Sequence, residues 1–439
     1  MMFTVKEQDV PMKLFEQQHP AQQLAGVMSR LYTYHLTTTS GGNLSCRDDS
    51  GSLWITPGSV DKANLTSEDI IRISPKGAVT GKHKPSLETQ FHQGAYAARS
   101  DAGAVIHAHA PSLSAFCIQR TAPDLRTVPQ ILLECGSEAS MSGYAVPGSA
   151  LLSEQIASQL RSGSNAVLLD NHGALTVGKN LLHALQRFEA LDVCAKIEIE
   201  AQQLGGITFP KQEVYDQLSS LLNREYGSMP EQKAYEKERS LICTLARRAY
   251  DRGLMTSSLG SLSIRVEEDA FLITPWGRDR HSLTPDEIVL VKGDRIQGGF
   301  RPDLWTFLHR EVYLKNSSAS SVMTAVPPSA MAFAVSGLSF DARTLTEGYV
   351  LLRDVKTAEL HDALQEPERC AARADETTPV QLISHGGIFA VGTSALQALD
   401  RIEVAEVSMR AALWAAQSGP MHSLDDREIA EIKSFFSLS

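Results

Sequence analysis

The sequence lacks the features of membrane, secreted and nucleic-acid-binding proteins. It has no run of 18 apolar residues, and its first residues contain no apolar core of the signal-peptide kind. The formal net charge of −10 argues against a nucleic-acid-binding surface and against binding to anionic membranes. No Cys-x-x-Cys pair occurs among the six scattered cysteines, which predicts reduced thiols. We therefore expect a cytoplasmic protein without nucleic-acid or membrane partners.

A set of short motifs occurs twice in the 439 residues. Ser-Gly-Gly-Asn-Leu-Ser at residues 40–45 returns as Ser-Leu-Gly-Ser-Leu-Ser at 258–263, and Ile-Thr-Pro at 55–57 returns at 273–275. One offset over several motifs indicates a tandem duplication. We predict a first copy at residues 12–208, a linker at 209–230, a second copy at 231–418 and a C-terminal tail at 419–439.

Within each copy the apolar pattern alternates between helical and strand-like segments. Helices are predicted near residues 21–37 and 238–252, and again at 87–99, 151–159 and 181–204. Strands are predicted around the Ile-Thr-Pro motif, before residue 110 and at 166–169. Strands interleaved with helices of this length predict an α/β class, a three-layer α/β/α domain in each copy. Residues 213–223 of the linker could form a helix of their own.

Three histidines stand out in the first copy. His107 and His109 form a His-Ala-His motif in an apolar, strand-like segment, so their side chains should point to the same face. His172 follows the apolar run 166–169 in an Asn-His-Gly turn. Three neutral imidazoles that leave one coordination position open are typical of a catalytic zinc site. A lone His-x-His motif could also be chance or a pair of core histidines, but the third histidine favours the metal.

A carboxylate and an anion cradle accompany the histidines. Glu88 lies in the first turn of a helix predicted to begin at Pro85, which makes it a candidate general acid/base beside the metal. A solvated glutamate in a first helical turn is the alternative. The glycine turn at residues 40–45, with Thr56, Gly58 and Ser86, offers amides and hydroxyls to an anion.

The second copy lacks this set. At the repeat offset Glu88 becomes Trp305, His107 becomes Thr324, His109 becomes Val326 and Asn43 becomes Ser261. His385 survives near the position of His172, displaced by one residue. Joint loss of the ligands and the acid/base group indicates that they formed one functional unit. We predict that the second copy keeps the scaffold without the catalysis.

In both halves the chain resembles the class II aldolase/adducin family. The motifs that carry the resemblance are residues 40–45, Ile-Thr-Pro-Gly at 55–58, Pro-Ser-Leu-Glu at 85–88, His-Ala-His at 107–109, Tyr-Ala-Val-Pro-Gly at 144–148 and Asn-His-Gly at 171–173. The resemblance implies that His107, His109 and His172 bind one zinc ion per chain, with Fe²⁺ or Mn²⁺ as alternatives. Glu88 would be the acid/base residue. The phosphate or carboxylate of the substrate would be held by Gly42, Asn43, Thr56, Gly58 and Ser86.

Members of this family cleave sugar phosphates by retro-aldol reaction, epimerise or dehydrate them, or decarboxylate β-keto acids, whereas adducin has no such activity. Two departures concern the reaction. Aldolases that act on fuculose 1-phosphate have two serines before the glutamate, and here the second is Leu87. They also receive a tyrosine acid from a neighbouring subunit, and residues 128–133 contain no tyrosine.

The favoured hypothesis is a metal-dependent lyase that cleaves a C–C bond of a small anionic hydroxy-carbonyl substrate, a sugar phosphate or related keto acid. Alternatives are a non-catalytic adducin-like assembly protein, or an epimerase, decarboxylase or Fe(II) oxygenase on the same scaffold. Because members of the family form fourfold rings, two tandem chains could close a pseudo-tetrameric ring. In such a homodimer, each metal site would be completed by a second copy.

Overall fold

The computed structural model describes residues 15–230, 234–297 and 299–438. The chain divides into two compact units. The first comprises the chain up to Asp124 together with Glu134–Ala195. The second comprises Lys196–Ser439 together with Leu125–Leu133, a stretch of the first copy that we call the transferred segment. The two copies seen in the sequence are therefore not identical with the two units.

The described helices follow the order expected for a repeat. They are α1 Pro20–Thr33, α2 Thr89–Ala98, α3 Pro111–Gln119, α4 Pro129–Cys135, α5 Ala150–Arg161, α6 Leu181–Gln203, α7 Glu213–Leu222, α8 Glu236–Asp251, α9 Thr306–Lys315, α10 Pro328–Ser336, α11 Thr346–Leu352, α12 Leu360–Gln365, α13 Pro367–Ala371, α14 Ala395–Ser418 and α15 Asp426–Phe435. No helix of the described part of the chain is both long and apolar enough to cross a membrane.

The described strands form one sheet in each unit. They are β1 Asn43–Arg47, β2 Leu53–Ile55, β3 Ile71–Ile73, β4 Val79–Thr80, β5 Ala104–Ala108, β6 Ser140–Ser142, β7 Ala166–Leu169, β8 Ala174–Gly178, β9 Gly227–Ser228, β10 Ser261–Glu267, β11 Ala270–Ile273, β12 Val289–Lys292, β13 Arg295–Gln297, β14 Ser321–Ala325, β15 Lys356–Ala358, β16 Val380–Ile383 and β17 Gly387–Gly392.

The two sheets repeat one topology. The first has the order β4-β3-β2-β1-β5-β8-β7-β6, and the second has β13-β12-β11-β10-β14-β17-β16-β15, with β9 added beside β13. Most neighbours are antiparallel, and the pairs β6–β7, β15–β16 and β9–β13 are parallel. The duplication and the α/β class predicted from the sequence are both confirmed. In each sheet the His-Ala-His strand or its counterpart, β5 or β14, lies near the centre.

Apolar faces explain how the helices pack in the first unit. Helices α2 and α5 pack against each other and share one buried cluster with the sheet. Phe91 of α2 and Ile156 of α5 meet Val105 of β5 and Val167 of β7 in that cluster. Burial of such side chains is the main stabilising contribution to a domain of this size. The strand that carries His107 is therefore held by the core itself.

Three boundaries differ from the sequence prediction. Helix α1 ends at Thr33, four residues early, and His35 adopts a left-handed φ of 60° beyond it. Helix α2 begins at Thr89, so Glu88 is its N-cap residue and does not lie one turn inside the helix. The cause is a turn in which the amide of Thr89 donates to the carbonyl of Ser86, at 3.1 Å. Strand β5 ends at Ala108, which leaves His109 just beyond it.

Two glycines provide a matched stability test of the first unit. A Cβ on Gly178, at the end of β8, would lie 2.3 Å from the amide nitrogen of Ala184, whereas a Cβ on Gly26 in α1 would meet no atom within 4 Å. We expect Gly178→Ala to lower the free energy of unfolding by about 1–3 kcal/mol through overpacking. Gly26→Ala should raise it by about 0.5–1 kcal/mol through helix propensity. Urea unfolding followed by circular dichroism measures both, and equal midpoints for the two variants would contradict this packing.

Candidate metal centre

His107 lies in the middle of the first sheet. It is fully buried on β5, paired in register with Asn43 of β1 on one side and Leu175 of β8 on the other. Its Nδ1 lies 3.0 Å from the carbonyl oxygen of Ala174. Because a carbonyl only accepts, the ring proton is on Nδ1, and the Nε2 lone pair points into the site. This is the tautomer that a metal ligand requires.

The other two histidines meet His107 from the ends of strands. The Nε2 atoms of His109 and His107 are 3.0 Å apart. His172 lies in the turn between β7 and β8, where Asn171 takes a left-handed φ of 54°. One ring nitrogen from each of the three lies within 4.8 Å of the others, and no other such group is found in residues 15–230, 234–297 and 299–438. The structure thus brings together the histidines singled out in the sequence.

Burial keeps these imidazoles neutral. It lowers the pKa of His107 well below the usual value, with a further contribution from the neighbouring His109 and His172. Burial and His172 together lower the pKa of His109 to about 4. The pKa of His172 is also lowered by burial, against the opposing effect of Glu88. Neutral imidazoles with free lone pairs are the form that binds a divalent metal.

Glu88 faces the histidines from the start of α2. It is 8% exposed, and its Oε1 lies 3.4 Å from Nε2 of His172, while its Oε2 lies 3.6 Å from Nε2 of His107. Asn43 Nδ2 donates to Oε2 at 2.6 Å. Oε1 is buried and accepts no hydrogen bond from the described residues. One carboxylate oxygen is therefore held, and the other faces the centre.

A chain of buried polar groups supports Asn43. Its Oδ1 lies 2.5 Å from Nε2 of His92, and Nδ1 of His92 lies 2.7 Å from the hydroxyl of Ser45, which is 2.8 Å from the hydroxyl of Tyr96. The amide oxygen can only accept, so His92 donates from Nε2 and accepts at Nδ1. Burial lowers the pKa of His92 to about 3, which keeps this ring neutral. Every donor in the chain therefore points towards Glu88.

The other residues predicted to hold an anion lie near Glu88 or against the strands β1 and β5. Gly58 lies against Ser86, since a Cβ on Gly58 would be 3.3 Å from Ser86 Cα. The hydroxyl of Ser86 accepts from the amide of Glu88 at 3.2 Å. Gly42 packs against the backbone of β5, where its Cβ would be 2.7 Å from the carbonyl oxygen of His107. The hydroxyl of Thr56 is turned to the backbone and accepts from the amide of Leu44 at 3.0 Å.

Lys62 is a buried residue near Glu88 that the sequence patterns did not single out. It is 2% exposed, and its ammonium donates to the carbonyl of Pro57 at 2.5 Å. Burial lowers its pKa to about 8, and the charge of Glu88 opposes the shift. The lysine is therefore a cation at neutral pH. The repeat could have indicated this residue, because another basic residue, Arg280, stands at the equivalent position of the second copy.

The corresponding place in the second copy cannot hold the metal in this way. Trp305, at the position of Glu88, is part of the apolar core of the second unit. His385 has a left-handed φ of 60°, as Asn171 does, so the position of His172 itself is taken by Gly386. The ring of His385 contacts the carbonyl of Thr127 at 3.0 Å and the hydroxyl of Thr208 at 3.1 Å.

Part of the polar chain survives in the second copy. Ser263 lies 2.7 Å from Nδ1 of His309 and 2.6 Å from the hydroxyl of Tyr313, the counterparts of Ser45, His92 and Tyr96. Ser261 replaces Asn43, and its hydroxyl contacts Thr324 at 2.6 Å. The Ser-His-Tyr part is thus retained where the glutamate is absent, which identifies it as scaffold. Asn43 and Glu88 occur only in the first copy, which also has the three histidines.

Comparison with known proteins gives one family for both copies. The sequence profile described as Class II Aldolase and Adducin N-terminal domain matches residues 22–199 and 240–413. The 5-methylthioribulose-1-phosphate/5-deoxyribulose-1-phosphate aldolase of Rhodospirillum rubrum is 36% identical over 174 residues, which are 39% of this chain and 72% of that protein. The 3-oxo-tetronate 4-phosphate decarboxylase of Pectobacterium atrosepticum is 30% identical over 188 residues, 42% of this chain and 85% of that protein.

The chain is also similar to a third relative and to one solved structure. The L-fuculose phosphate aldolase of Escherichia coli is 32% identical over 178 residues, 40% of this chain and 81% of that protein. A solved L-fuculose 1-phosphate aldolase is 29% identical, with a TM-score of 0.43 over 47% of this chain and 96% of its own. Since the family profile covers most of the sequence in two consecutive matches, this chain belongs to the class II aldolase and adducin family and contains its domain twice.

Proposed function

We propose that the first copy is a zinc-dependent lyase that cleaves a C–C bond of a small anionic hydroxy-carbonyl substrate. The proposal depends on one observation: three neutral imidazoles lie around a buried carboxylate, one oxygen of which accepts no hydrogen bond. An adducin-like assembly role would not require these groups to be buried, neutral and oriented together. The six cysteines are free, which supports reduced thiols and a cytoplasmic location.

The residues present fit a divalent metal. His107, His109 and His172 would hold it. Because Nδ1 of His107 donates a hydrogen bond to the carbonyl of Ala174, its Nε2 has a lone pair free for the metal. Buried polar atoms without a hydrogen bond are rare in folded proteins, and Glu88 Oε1 is one of them. Zinc is the metal we favour for three imidazoles, with Fe²⁺ and Mn²⁺ as alternatives. When bound, the ion would supply Lewis-acid polarisation of the substrate's oxygens.

Glu88 would move the proton in this reaction. Asn43 fixes its Oε2, so Oε1 is left to take a proton from the substrate hydroxyl or return it to the carbon that loses its partner. The buried chain behind Asn43 holds the carboxylate in one orientation. Neither oxygen needs to reorganise during the transfer, which is the condition for efficient acid/base catalysis.

The relatives suggest substrates for the first test. Their names specify phosphorylated sugars or keto acids, and the anion cradle lies next to Glu88. We would incubate metal-loaded protein with 5-methylthioribulose 1-phosphate, 5-deoxyribulose 1-phosphate, L-fuculose 1-phosphate and 3-oxo-tetronate 4-phosphate. Aldehyde release supports aldol cleavage and CO₂ release supports decarboxylation. Metal-loaded protein that converts none of them would count against lyase activity on this class.

The histidines can be tested by metal content. We expect His107→Ala and His109→Ala each to lose the metal that the parent protein binds at one ion per chain, while the fold is kept, because such sites form on an already folded scaffold. Elemental analysis of purified protein measures the ratio. His385→Ala is the matched control from the second copy and should keep the metal. Equal stoichiometry in His107→Ala and the parent would remove the proposed site.

Glu88 can be separated from the ligands by an isosteric change. We expect Glu88→Gln to keep its metal and to lose turnover by at least about a hundredfold, the scale of a positioned acid/base group. Steady-state rates and elemental analysis on the same sample give both numbers. Glu154→Gln, an exposed glutamate of α5, serves as the control. Loss of metal in Glu88→Gln would instead assign the glutamate as a ligand.

The transferred segment suggests how the site is completed. It belongs to the second unit, where Gln130 Nε2 donates to the carbonyl of Gly386 at 2.8 Å. Leu133 packs against the core that contains Leu304 and Trp305. Gly386 is the counterpart of His172, and Leu304 and Trp305 are the counterparts of Leu87 and Glu88. A stretch of the first copy therefore contacts the degenerate site at Gly386.

The corresponding surface at the metal centre is open. Leu87 is 88% exposed and Tyr144 is 61% exposed, whereas Leu304, the counterpart of Leu87, is 6% exposed. The second copy carries the counterpart of the transferred segment in α11 and the residues before it, where Leu345 is 38% exposed. We propose that in a homodimer this stretch of one chain covers the metal centre of the other, which closes a ring of four domains.

Light scattering tests the dimer. We expect a mass of about twice the 47.8 kDa of one chain at micromolar concentration. Leu345→Asp should give monomers that still bind metal, because a charge would be buried in the contact. Leu314→Asp, at another exposed leucine of the second copy, should leave the dimer intact. A monomeric parent protein would exclude this arrangement.

A further inference from the structure

Both copies bury a cation at the same position of the fold. Lys62 and Arg280 are 2% and 0% exposed. Each donates to the carbonyl of the equivalent proline, Lys62 to Pro57 at 2.5 Å and Arg280 to Pro275 at 2.6 Å. A buried charge is costly unless an opposite charge accompanies it. The question is therefore which anion each cation faces.

In the second copy the anion is part of the chain. Asp303 Oδ2 accepts from Arg280 Nη2 at 3.0 Å, and Oδ1 accepts from the backbone amide of Trp305 at 3.1 Å. The hydroxyl of Ser261 also bonds this carboxylate. Burial raises the pKa of Asp303 to about 6 in spite of Arg280. A carboxylate thus occupies a closed pocket between a cation, a hydroxyl and the amide that precedes α9.

The first copy has the same pocket without the carboxylate. Paired prolines fix the correspondence, since Pro57 bridges Pro85 as Pro275 bridges Pro302, and the next residues are Ser86 and Asp303. Lys62 forms no ion pair with any residue of the described ranges, and the negative charge that acts on it is that of Glu88. The counterparts of the other two groups around Asp303 are Asn43 and the amide of Glu88.

The residues near the two cations also differ between the copies. Gly58 of the first copy is replaced by Trp276, which packs against the core of the second unit. Leu87 is exposed and Leu304 is buried. The first copy therefore combines a cation that has no ion pair with an exposed Leu87, whereas the second combines an internal carboxylate with a buried Leu304.

We infer that Lys62 is the counter-cation of an oxyanion ligand in the first copy, and that Asp303 is a built-in replacement for that ligand in the second. The inference rests on the proposed function for the identity of the ligand, the phosphate or carboxylate group of the substrate. It adds a binding residue, Lys62, and it assigns the second copy a permanently filled anion site. Lys62 and Arg280 would then both neutralise an anion, which is a bound ligand in the first copy and Asp303 in the second.

The test exchanges the two sites and uses inorganic phosphate as the probe. Binding to the metal-loaded full chain is measured by isothermal titration calorimetry, with acetate as a second titrant to separate phosphate from carboxylate recognition. We expect one phosphate per chain in the parent protein and at least about tenfold weaker binding in Lys62→Met, with near-parent affinity in Lys62→Arg. Lys82→Met, at an exposed lysine, is the matched control and should bind as the parent does. Metal content is measured for every variant.

The reciprocal exchange gives the sharper result. Ser86→Asp should abolish phosphate binding with its metal retained, because the new carboxylate takes the place of the ligand. Asp303→Ser should bind a second phosphate per chain. If the unpaired Arg280 destabilises Asp303→Ser, phosphate should raise its melting temperature by more than it raises that of the parent.

Three outcomes would overturn the inference: parent-like phosphate affinity in metal-loaded Lys62→Met, unchanged binding in Ser86→Asp, or neither a second phosphate nor a larger melting shift in Asp303→Ser. Acetate binding in place of phosphate would assign a carboxylate ligand and leave the role of Lys62 intact. Because the readout is binding, a protein that turns over no sugar phosphate can still pass this test. Failure of the proposed lyase activity is thus distinguishable from failure of the anion site.

Discussion

Burial of neutral imidazole at the centre of a sheet is the constraint on which the first copy depends. His107 is enclosed by β1 and β8, and its Nδ1 donates a hydrogen bond to the carbonyl of Ala174. The buried ring is not solvated, so protonation to the charged form is unfavourable. The lone pair on Nε2 therefore remains directed at the metal centre. His109, His172 and Glu88 lie at the ends of β5, β7 and α2, which pack in the same apolar core. The geometry of the centre therefore follows from the packing of the sheet.

The duplication separates scaffold from chemistry within one molecule. Ser263, His309 and Tyr313 repeat the buried contacts of Ser45, His92 and Tyr96, although Trp305 stands in the place of Glu88. Those contacts therefore stabilise the domain regardless of catalysis. By contrast, Asn43 and Glu88 are lost together with the histidines. The internal comparison assigns a structural role to His92, which lies close enough to the centre to be mistaken for a ligand.

The sequence predicted the elements and the histidine group because both are expressed in local patterns. Period-2 spacing placed His107 and His109 on one side of a strand, and repeated motifs gave the duplication. The N-cap position of Glu88 was missed, since it depends on a turn at Ser86 rather than on helical periodicity. The partner of Arg280 was also missed, because the pairing with Asp303 spans residues that only the folded β-bridge brings together. The placement of the transferred segment depends on contacts distant in sequence, which no local pattern encodes.

Asp303 has a consequence for the second copy. Because this internal carboxylate neutralises Arg280, the position needs no bound anion to be stable, and Leu304 and Trp276 pack in the apolar core nearby. Restoring the histidines alone would then recover a metal site next to a pocket already filled by its own side chain. Recovery of a metal site and recovery of an anion site would therefore need separate substitutions in the second copy.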